Sequence, residues 1–555
     1  MNWRKYTTLR GWEVPLEPST VAPANGGRWS NADMDPVPED KQVWRWFSFV
    51  SMWVSDGFSP STLQLAGAMI TLGLSWKQAI GAVLLGNVLI SWCCFFNGWI
   101  AAYLHTPFSV NVRMSFGFWF SYFAIVTRLI LALIYTGTKS YTSALATYQC
   151  IRAIWPQFVH LDNKLPASAG ITSNVMVAYF VFFAIQLPLM MVSPAKLRYL
   201  FTFKSVIGPI AGFACMGYYV RKSGGYLYGG DPTASGSTIG WAFMAALNSA
   251  VGSYSTLSLN IGDFTRYAKR PRDQFAQVLV IPICFTATAL MGVAIASGGY
   301  KVHGLAKIQF DPTRLMNNWS TDSSLERAGL FFFGFAMALS NLGSNISANT
   351  ISGANDFCSL FPRYLNIRRG SFLMGVLGCW ACAPWKLLAT AQSFLTLLGG
   401  YTIISAPVWA ILVSDFFWVK KQHVDVPAMY DPRGRYRYNR FGTNWRVLAT
   451  LCIVVPPEIP GLLHAISSDI ALPLGNQRFY RVTWLFGTVS GLIIYPLLNH
   501  LFPHRNTLVA EMIWTIEEAS GEVAATTSRD EEKSVGKDDS DLDVQAGVLP
   551  VAELR

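Results

Sequence analysis

Long apolar runs recur along the whole chain, each ended by a short polar connector. A helix needs about 20 mostly apolar residues to cross the hydrocarbon core of a bilayer, and the pattern predicts about twelve such spans. They fall at residues 47–72, 76–104, 118–151, 172–192, 199–220, 239–263, 275–298, 329–353, 372–391, 394–418, 446–466 and 482–501. An all-α membrane protein follows, because in hydrocarbon each backbone amide has to be satisfied within its own helix. Three regions are expected. Residues 1–46 form a polar cytoplasmic tail without a core of its own, 47–503 the membrane domain, and 504–555 an acidic cytoplasmic tail that should stay disordered. No short apolar core with a small-residue cleavage site precedes the first span, so that span is expected to act as the membrane signal.

Composition agrees with a bilayer as solvent, at 52% hydrophobic and 14% charged over 555 residues. A net charge of +11 would suit nucleic acid in a soluble chain, but these cations lie in short connectors, where membrane topology accounts for them. With the N-terminus in the cytoplasm, the even-numbered connections hold about seventeen Lys and Arg and the odd-numbered ones about eleven. The positive-inside rule therefore places both termini in the cytoplasm. The nine cysteines lie mostly in apolar runs and read as small hydrophobes, Cys379 and Cys382 included despite their C-x-x-C spacing. Asn318-Trp-Ser320 is a glycosylation sequon in a connection predicted to be external. Lys533 and Lys537 in the acidic tail are candidate ubiquitin acceptors, which would imply a ubiquitin ligase or adaptor on the tails. No hydrolase, P-loop or metalloprotease motif is present, and no cofactor or catalytic metal is expected.

Polar groups inside the spans are the candidates for function, since each is costly in hydrocarbon unless partnered. The first span contains Ser55-Asp-Gly-Phe-Ser-Pro-Ser-Thr62, where Gly57 and Pro60 should break the helix near Asp56 and Ser59. Gly252-Ser-Tyr-Ser-Thr256 in the sixth span predicts a second interruption five spans later, the arrangement of an inverted-repeat transporter. In the eighth span Asn345 and Asn349 are four apart and share a helical face, as do Tyr135 and Lys139 in the third. An unpaired ammonium or carboxylate at that depth costs several kcal/mol, roughly 3 on insertion scales. A Lys139–Asp56 ion pair is the simplest relief visible in the sequence and would couple protonation of Asp56 to binding. Lys269, in the connection after the sixth span, and Asp356, at the end of the eighth, are expected to form an inner gate.

Several motifs resemble the fungal uracil, uridine and allantoin permease branch of the nucleobase-cation symporter family. They include Trp29-Ser-Asn-Ala-Asp-Met-Asp-Pro-Val-Pro38, Leu259-Asn-Ile-Gly-Asp-Phe-Thr-Arg-Tyr-Ala268, Gly343-Ser-Asn-Ile-Ser-Ala-Asn349 and Pro362-Arg-Tyr-Leu-Asn-Ile-Arg-Arg-Gly370. The resemblance runs from about Trp12 to the end of the twelfth span. It implies a LeuT-like 5+5 inverted repeat with two additional C-terminal helices, and a site built from the first, third, sixth and eighth spans. It also implies a secondary transporter of the plasma membrane that imports a nucleobase, nucleoside or allantoin-like heterocycle by alternating access.

In that family the third-span site holds a Trp and, four residues later, a Gln; Tyr135 and Lys139 stand there in this chain. Tyrosine still stacks on a ring, but an ammonium cannot accept a hydrogen bond, so a more acidic or differently substituted ligand is implied. Tyr254 falls on the sixth-span aromatic, and Asn345 and Asn349 on the eighth-span amides. Gly343 and Ser344 stand where bacterial relatives place sodium-binding hydroxyls, and the resemblance to proton symporters implies protons rather than sodium. Two alternatives are a vitamin such as thiamine or nicotinamide riboside as cargo, and a nutrient sensor that does not transport.

Overall fold

The computed structural model describes residues 8–520 apart from 16–18, 20, 23–28, 193, 230–231, 233–234 and 468. Among these residues the only β-pairing is two isolated bridges, Trp44–Ala268 and Asp425–Ile513, and eight helices are long and apolar enough to cross a membrane. Numbered in chain order, the helical segments are the first (Trp46–Gly57 and Pro60–Ile70), second (Trp76–Leu104), third (Ser121–Ile154) and fourth (Ser173–Met190). The fifth (Pro194–Ser223), sixth (Ser237–Asn260), seventh (Phe275–His303) and eighth (Ser324–Leu360) follow. The last four are the ninth (Ile367–Trp380), tenth (Ala391–Val419), eleventh (Trp445–Ile466) and twelfth (Thr483–Leu501). The ninth is shorter than expected because the chain leaves the helix after Trp380 and restarts as a single turn at Pro384, which lacks an N–H to continue the ladder.

Two packed groups flank the first segment. The third lies along the eighth and also contacts the fourth and ninth, while the second lies along the sixth and seventh. Both halves of the first segment rest on the seventh.

The first segment breaks as its sequence predicts. The helix stops at Gly57, Phe58 leaves helical geometry (ψ 66°), and Pro60 opens the second half at its N1 position, where a missing N–H does no harm. The expected interruption of the sixth segment is absent: Ser237–Asn260 is one continuous helix. Gly252 serves close packing there, since a Cβ would strike the backbone carbonyl of Leu398. The hydroxyls of Ser253 and Ser255 bond back to the carbonyls of Ala250 and Gly252 and leave the ladder intact. In the eighth segment a π-helical stretch, Ile346–Ile351, interrupts the α-helix, and Thr350 Oγ1 donates to Asn345 O at 3.1 Å. Such bulges free backbone groups and re-aim side chains.

The described parts of the N-terminal tail are strapped across one face of the bundle. Val14 N donates to Arg363 O (2.8 Å), and Glu13 pairs with Arg363 at 2.5 Å. Asn31 Nδ2 donates to the carbonyls of Pro362 and Leu365, Arg266 Nη1 to Asp33 O, and Val37 N to His105 O. Tyr430 donates its hydroxyl to Met34 O (2.8 Å). The tail thus contacts the connections after the second, sixth, eighth and tenth segments.

The chain after 504 was expected to be disordered, yet its described part, to 520, packs on the same face. Val426 N donates to Ile513 O (2.9 Å) and Ile513 N to Val424 O (3.2 Å), and the Trp514 ring lies 6.0 Å from that of Tyr103. The reason is compositional: Val509, Met512, Ile513 and Trp514 precede the acidic runs and supply apolar surface to bury. Lys533, Lys537 and the acidic runs after 520 lie outside the described residues. Asn318 is exposed in the connection between the seventh and eighth segments.

Candidate functional site

A pocket of about 60 Å³ lies where the second half of the first segment meets the third, sixth, eighth and tenth. Tyr135, Lys139, Tyr254 and Asn349 all line it, so four side chains from three segments expected to form the site come together. Tyr254 is held by edge contacts with Phe285 (4.5 Å between ring centroids) and Trp53 (6.0 Å). Its hydroxyl donates to Asp56 O (3.4 Å), a carbonyl near the end of the broken helix.

Asn345 does not line the pocket. Its amide donates to Thr136 O, Ser140 Oγ and Gln186 Oε1, each at 3.2 Å, which ties the eighth segment to the third and fourth. Its own Oδ1 accepts from Asn349 Nδ2 at 2.9 Å. Asn345 thus holds the amide nitrogen of Asn349, the one of the two that lines the pocket. Sequence reasoning overlooked Gln64 and named Thr256 only as part of an expected interruption, yet both line the pocket. Gln64 is buried with no hydrogen bond from its amide among the described residues, and Thr256 Oγ1 and the Tyr135 hydroxyl likewise lack partners. Unsatisfied buried polar groups that converge on one cavity are the signature of groups reserved for a ligand.

A Lys139–Asp56 pair does not form. Asp56 is paired with Lys204 of the fifth segment, Nζ to Oδ1 at 2.8 Å, and both side chains are essentially inaccessible. Lys204 Nζ also donates to Ser344 Oγ (3.1 Å), and Ser347 Oγ donates to both oxygens of Asp56 at 3.1 and 3.0 Å. Gly343 makes room for this arrangement, since a Cβ there would collide with the Lys204 side chain. The ammonium of Lys204 thus bridges the broken first segment, through Asp56 beside Gly57, to the eighth. Ser59 itself bonds Thr62 Oγ1 at 3.2 Å. The expected partner was wrong because Lys204 sits near the start of an apolar run, where a lysine ordinarily reaches back to the interface.

The Lys269–Asp356 gate does not form either. Asp356 is bonded by Nε and Nη2 of Arg128 from the third segment, a pair with side-chain exposures of 0% and 1%. Lys269 is exposed, and its backbone N–H donates to Trp44 O (2.8 Å). Arg128 and Asp356 belong to segments packed along one another, so their pair fastens one group internally.

A second and larger cavity of about 1420 Å³ opens on the face that carries the tails. Asp33, Trp44 and Arg266 line its mouth, and Asp56, Ser347 and Ile351 line its inner end. Asp56 therefore borders the cavity on the tail face although its side chain is only 3% exposed, while the carbonyl of the same residue holds Tyr254 of the smaller pocket.

These features belong to a known architecture. The chain superposes on Mhp1, a nucleobase-cation-symport-1 family transporter, in its inward-facing conformation with a TM-score of 0.67 at 19% identity, covering 90% of this chain and 99% of that one. Against the closed, bromovinylhydantoin-bound form the TM-score is 0.64, over 88% and 97% of the two chains. The fold is therefore the LeuT-like fold of an all-α membrane transporter. Among sequence relatives, a permease of Schizosaccharomyces pombe is 36% identical, covering 88% of this chain and 87% of its own. The allantoin permease of Saccharomyces cerevisiae is 30% identical over 87% and 77%, and the uracil permease of the same yeast 29% identical over 85% and 76%. Residues 36–487 match the family described as permeases for cytosine/purines, uracil, thiamine and allantoin, and with an interrupted first segment, a polar pocket beside it and this fold, the chain belongs to that family of membrane transporters.

Proposed function

We propose that the chain is a proton-coupled permease of the plasma membrane that imports a nucleobase, nucleoside or allantoin-like heterocycle, with both tails in the cytosol. The observation that carries this reading is the small pocket: two tyrosines bury a flat ring at little entropic cost, while Asn349, Gln64 and Thr256 address its polar edge. The names of the allantoin, uracil and uridine permeases among its relatives agree with such a cargo. With the tails in the cytosol, the larger cavity makes this an inward-facing state, the state of the Mhp1 form with the higher TM-score.

The Lys204–Asp56 pair supplies the coupling. The ammonium of Lys204 stands against Ser344, the position that the family resemblance makes the counterpart of a sodium site, and repels a metal cation from that place. A proton arriving from the cavity converts the Asp56 carboxylate to the acid and leaves the ammonium without a counter-charge in a dry interior, which disfavours the closed junction between the first, fifth and eighth segments. Charge state and conformation are then linked.

Relatives named as a thiamine transporter and a nicotinamide riboside transporter, each 25% identical, make a vitamin cargo the natural alternative. Both those molecules carry a fixed positive charge, and Lys139 in the pocket opposes them. The test is radiolabelled uptake of uracil, uridine, allantoin, thiamine and nicotinamide riboside in cells lacking their own permeases, with and without a proton uncoupler. Uphill uptake of a heterocycle that the uncoupler abolishes is expected. Accumulation indifferent to the uncoupler removes proton coupling, and ligand binding without accumulation at the cell surface favours a sensor. In the same assay Asn349→Ala should raise the half-saturating concentration about tenfold, since one hydrogen bond to a polar ligand edge is worth about 1.5 kcal/mol; unchanged affinity would remove Asn349 from the site.

A further inference from the structure

We infer that the cargo is a flat heterocycle carrying a negative charge, bound with its anionic group on Lys139. This rests on the reading of the small pocket as the cargo site. Among the residues that line the pocket, Lys139 is the one charged side chain, and no Asp or Glu is among them. Its ammonium makes no hydrogen bond or ion pair among the described residues; only its backbone carbonyl is engaged, by Asn341 Nδ2 at 2.6 Å and Ser143 Oγ at 2.9 Å.

The nearest candidate for a counter-charge is already committed. Asp56 Oδ1 takes Lys204 and Ser347, and Oδ2 takes Ser347 again. One carboxylate thus faces two ammonium groups, and the one within hydrogen-bonding distance is Lys204. Lys139 is left as a net positive charge in a partly buried site. A bound anion satisfies it, whereas a neutral ring offers at best a carbonyl and leaves the charge uncompensated. The remaining pocket groups suit such a ligand. The Tyr135 and Thr256 hydroxyls are donors without partners and can share an anionic oxygen or a ring carbonyl, while the Asn349 carbonyl accepts a ring N–H. The fitting class is a heterocyclic carboxylate, or a ring acidic enough to be ionised at neutral pH.

Neutral and anionic rings of the same shape test this directly. Purified full-length chain in detergent is titrated at pH 7 with uracil and with uracil-6-carboxylate, and with nicotinamide and nicotinate, following intrinsic tryptophan fluorescence. The expected result is that the carboxylate of at least one pair binds about tenfold or more tighter than its neutral partner. Lys139→Gln should erase or reverse that preference, and Lys139→Arg should keep it. Equal or tighter binding of both neutral partners to the unaltered chain overturns the inference, as does binding of none of the four, or a preference that survives Lys139→Gln. The unaltered chain decides the matter even if a variant fails to fold. The two readings also fail separately. Uphill uptake of uracil or allantoin with no anion preference sinks the inference and keeps the permease reading, while anion-selective binding without accumulation does the reverse.

Discussion

Asp56→Asn should abolish uphill accumulation of cargo while leaving passive exchange in place. The amide retains the size of the carboxylate and can still accept from Lys204 and Ser347, whose contacts to Asp56 lie at 2.8–3.1 Å. What it loses is the negative charge. Breaking a buried pair by removing one charge costs about 3–5 kcal/mol, and with no carboxylate to protonate, the junction stays in the state that protonation of Asp56 would produce whatever the gradient. In proteoliposomes with an imposed pH gradient, accumulation should fall by roughly 100-fold, the equivalent of about 3 kcal/mol. Counterflow exchange of labelled for unlabelled cargo, which needs no net proton movement, should persist. A variant that still concentrates cargo in proportion to the gradient would take Asp56 out of the coupling step. Lys204→Met combined with Asp56→Leu removes both charges and should fold, yet show the same loss of accumulation.

Arg128→Met should act on stability first. It leaves Asp356 as a carboxylate in the dry contact between the third and eighth segments, where its Oδ1 already lacks a partner, and it also takes away a favourable charge from nearby Asp263. A loss of about 3–5 kcal/mol is expected, enough to deplete folded protein, as measured by a fluorescence-detected size-exclusion profile after heating. Adding Asp356→Leu should recover most of the folded fraction, because two apolar side chains replace a pair that was costly to bury. If the double variant is no better than the single one, the pair is not what holds the two segments together there. Lys269→Asp, at an exposed position, should leave the profile unchanged in either background.

Most of the architecture was legible because membrane segments announce themselves by length and polarity, and because Gly57 and Pro60 leave a helix no way to continue. The sixth segment misled for the converse reason. Glycine and serine at 252–256 can mean a broken ladder or a close approach with self-bonded hydroxyls, and only the position of Leu398 tells which. Pairings across segments were the least legible. Periodicity placed Lys139 and Tyr135, or Asn345 and Asn349, on common faces, but it carries no information about which neighbouring segment a face meets. Asp56 therefore pairs with a lysine of the fifth segment instead of the third, and Asp356 with Arg128 instead of Lys269. Gln64 went unnoticed because an amide in a span is usually satisfied by a neighbouring helix.

The strap formed by the N-terminal tail makes the two ends of the molecule's working cycle unequal. Its anchors at Arg363, Pro362, Arg266, His105 and Tyr430 lie on connections from both packed groups, and Arg266 among them also lines the large cavity. Any change in the spacing of those connections must lengthen or break some of the bonds, so the tail acts as a latch whose grip depends on the conformation beneath it. Thermodynamic reciprocity then applies: whatever engages the tail only when it is released shifts the balance of conformations by the same factor by which those conformations shift its own binding. A tag, a modification or a partner protein at this terminus is in that sense an effector of the transporter, even though it does not touch the small pocket.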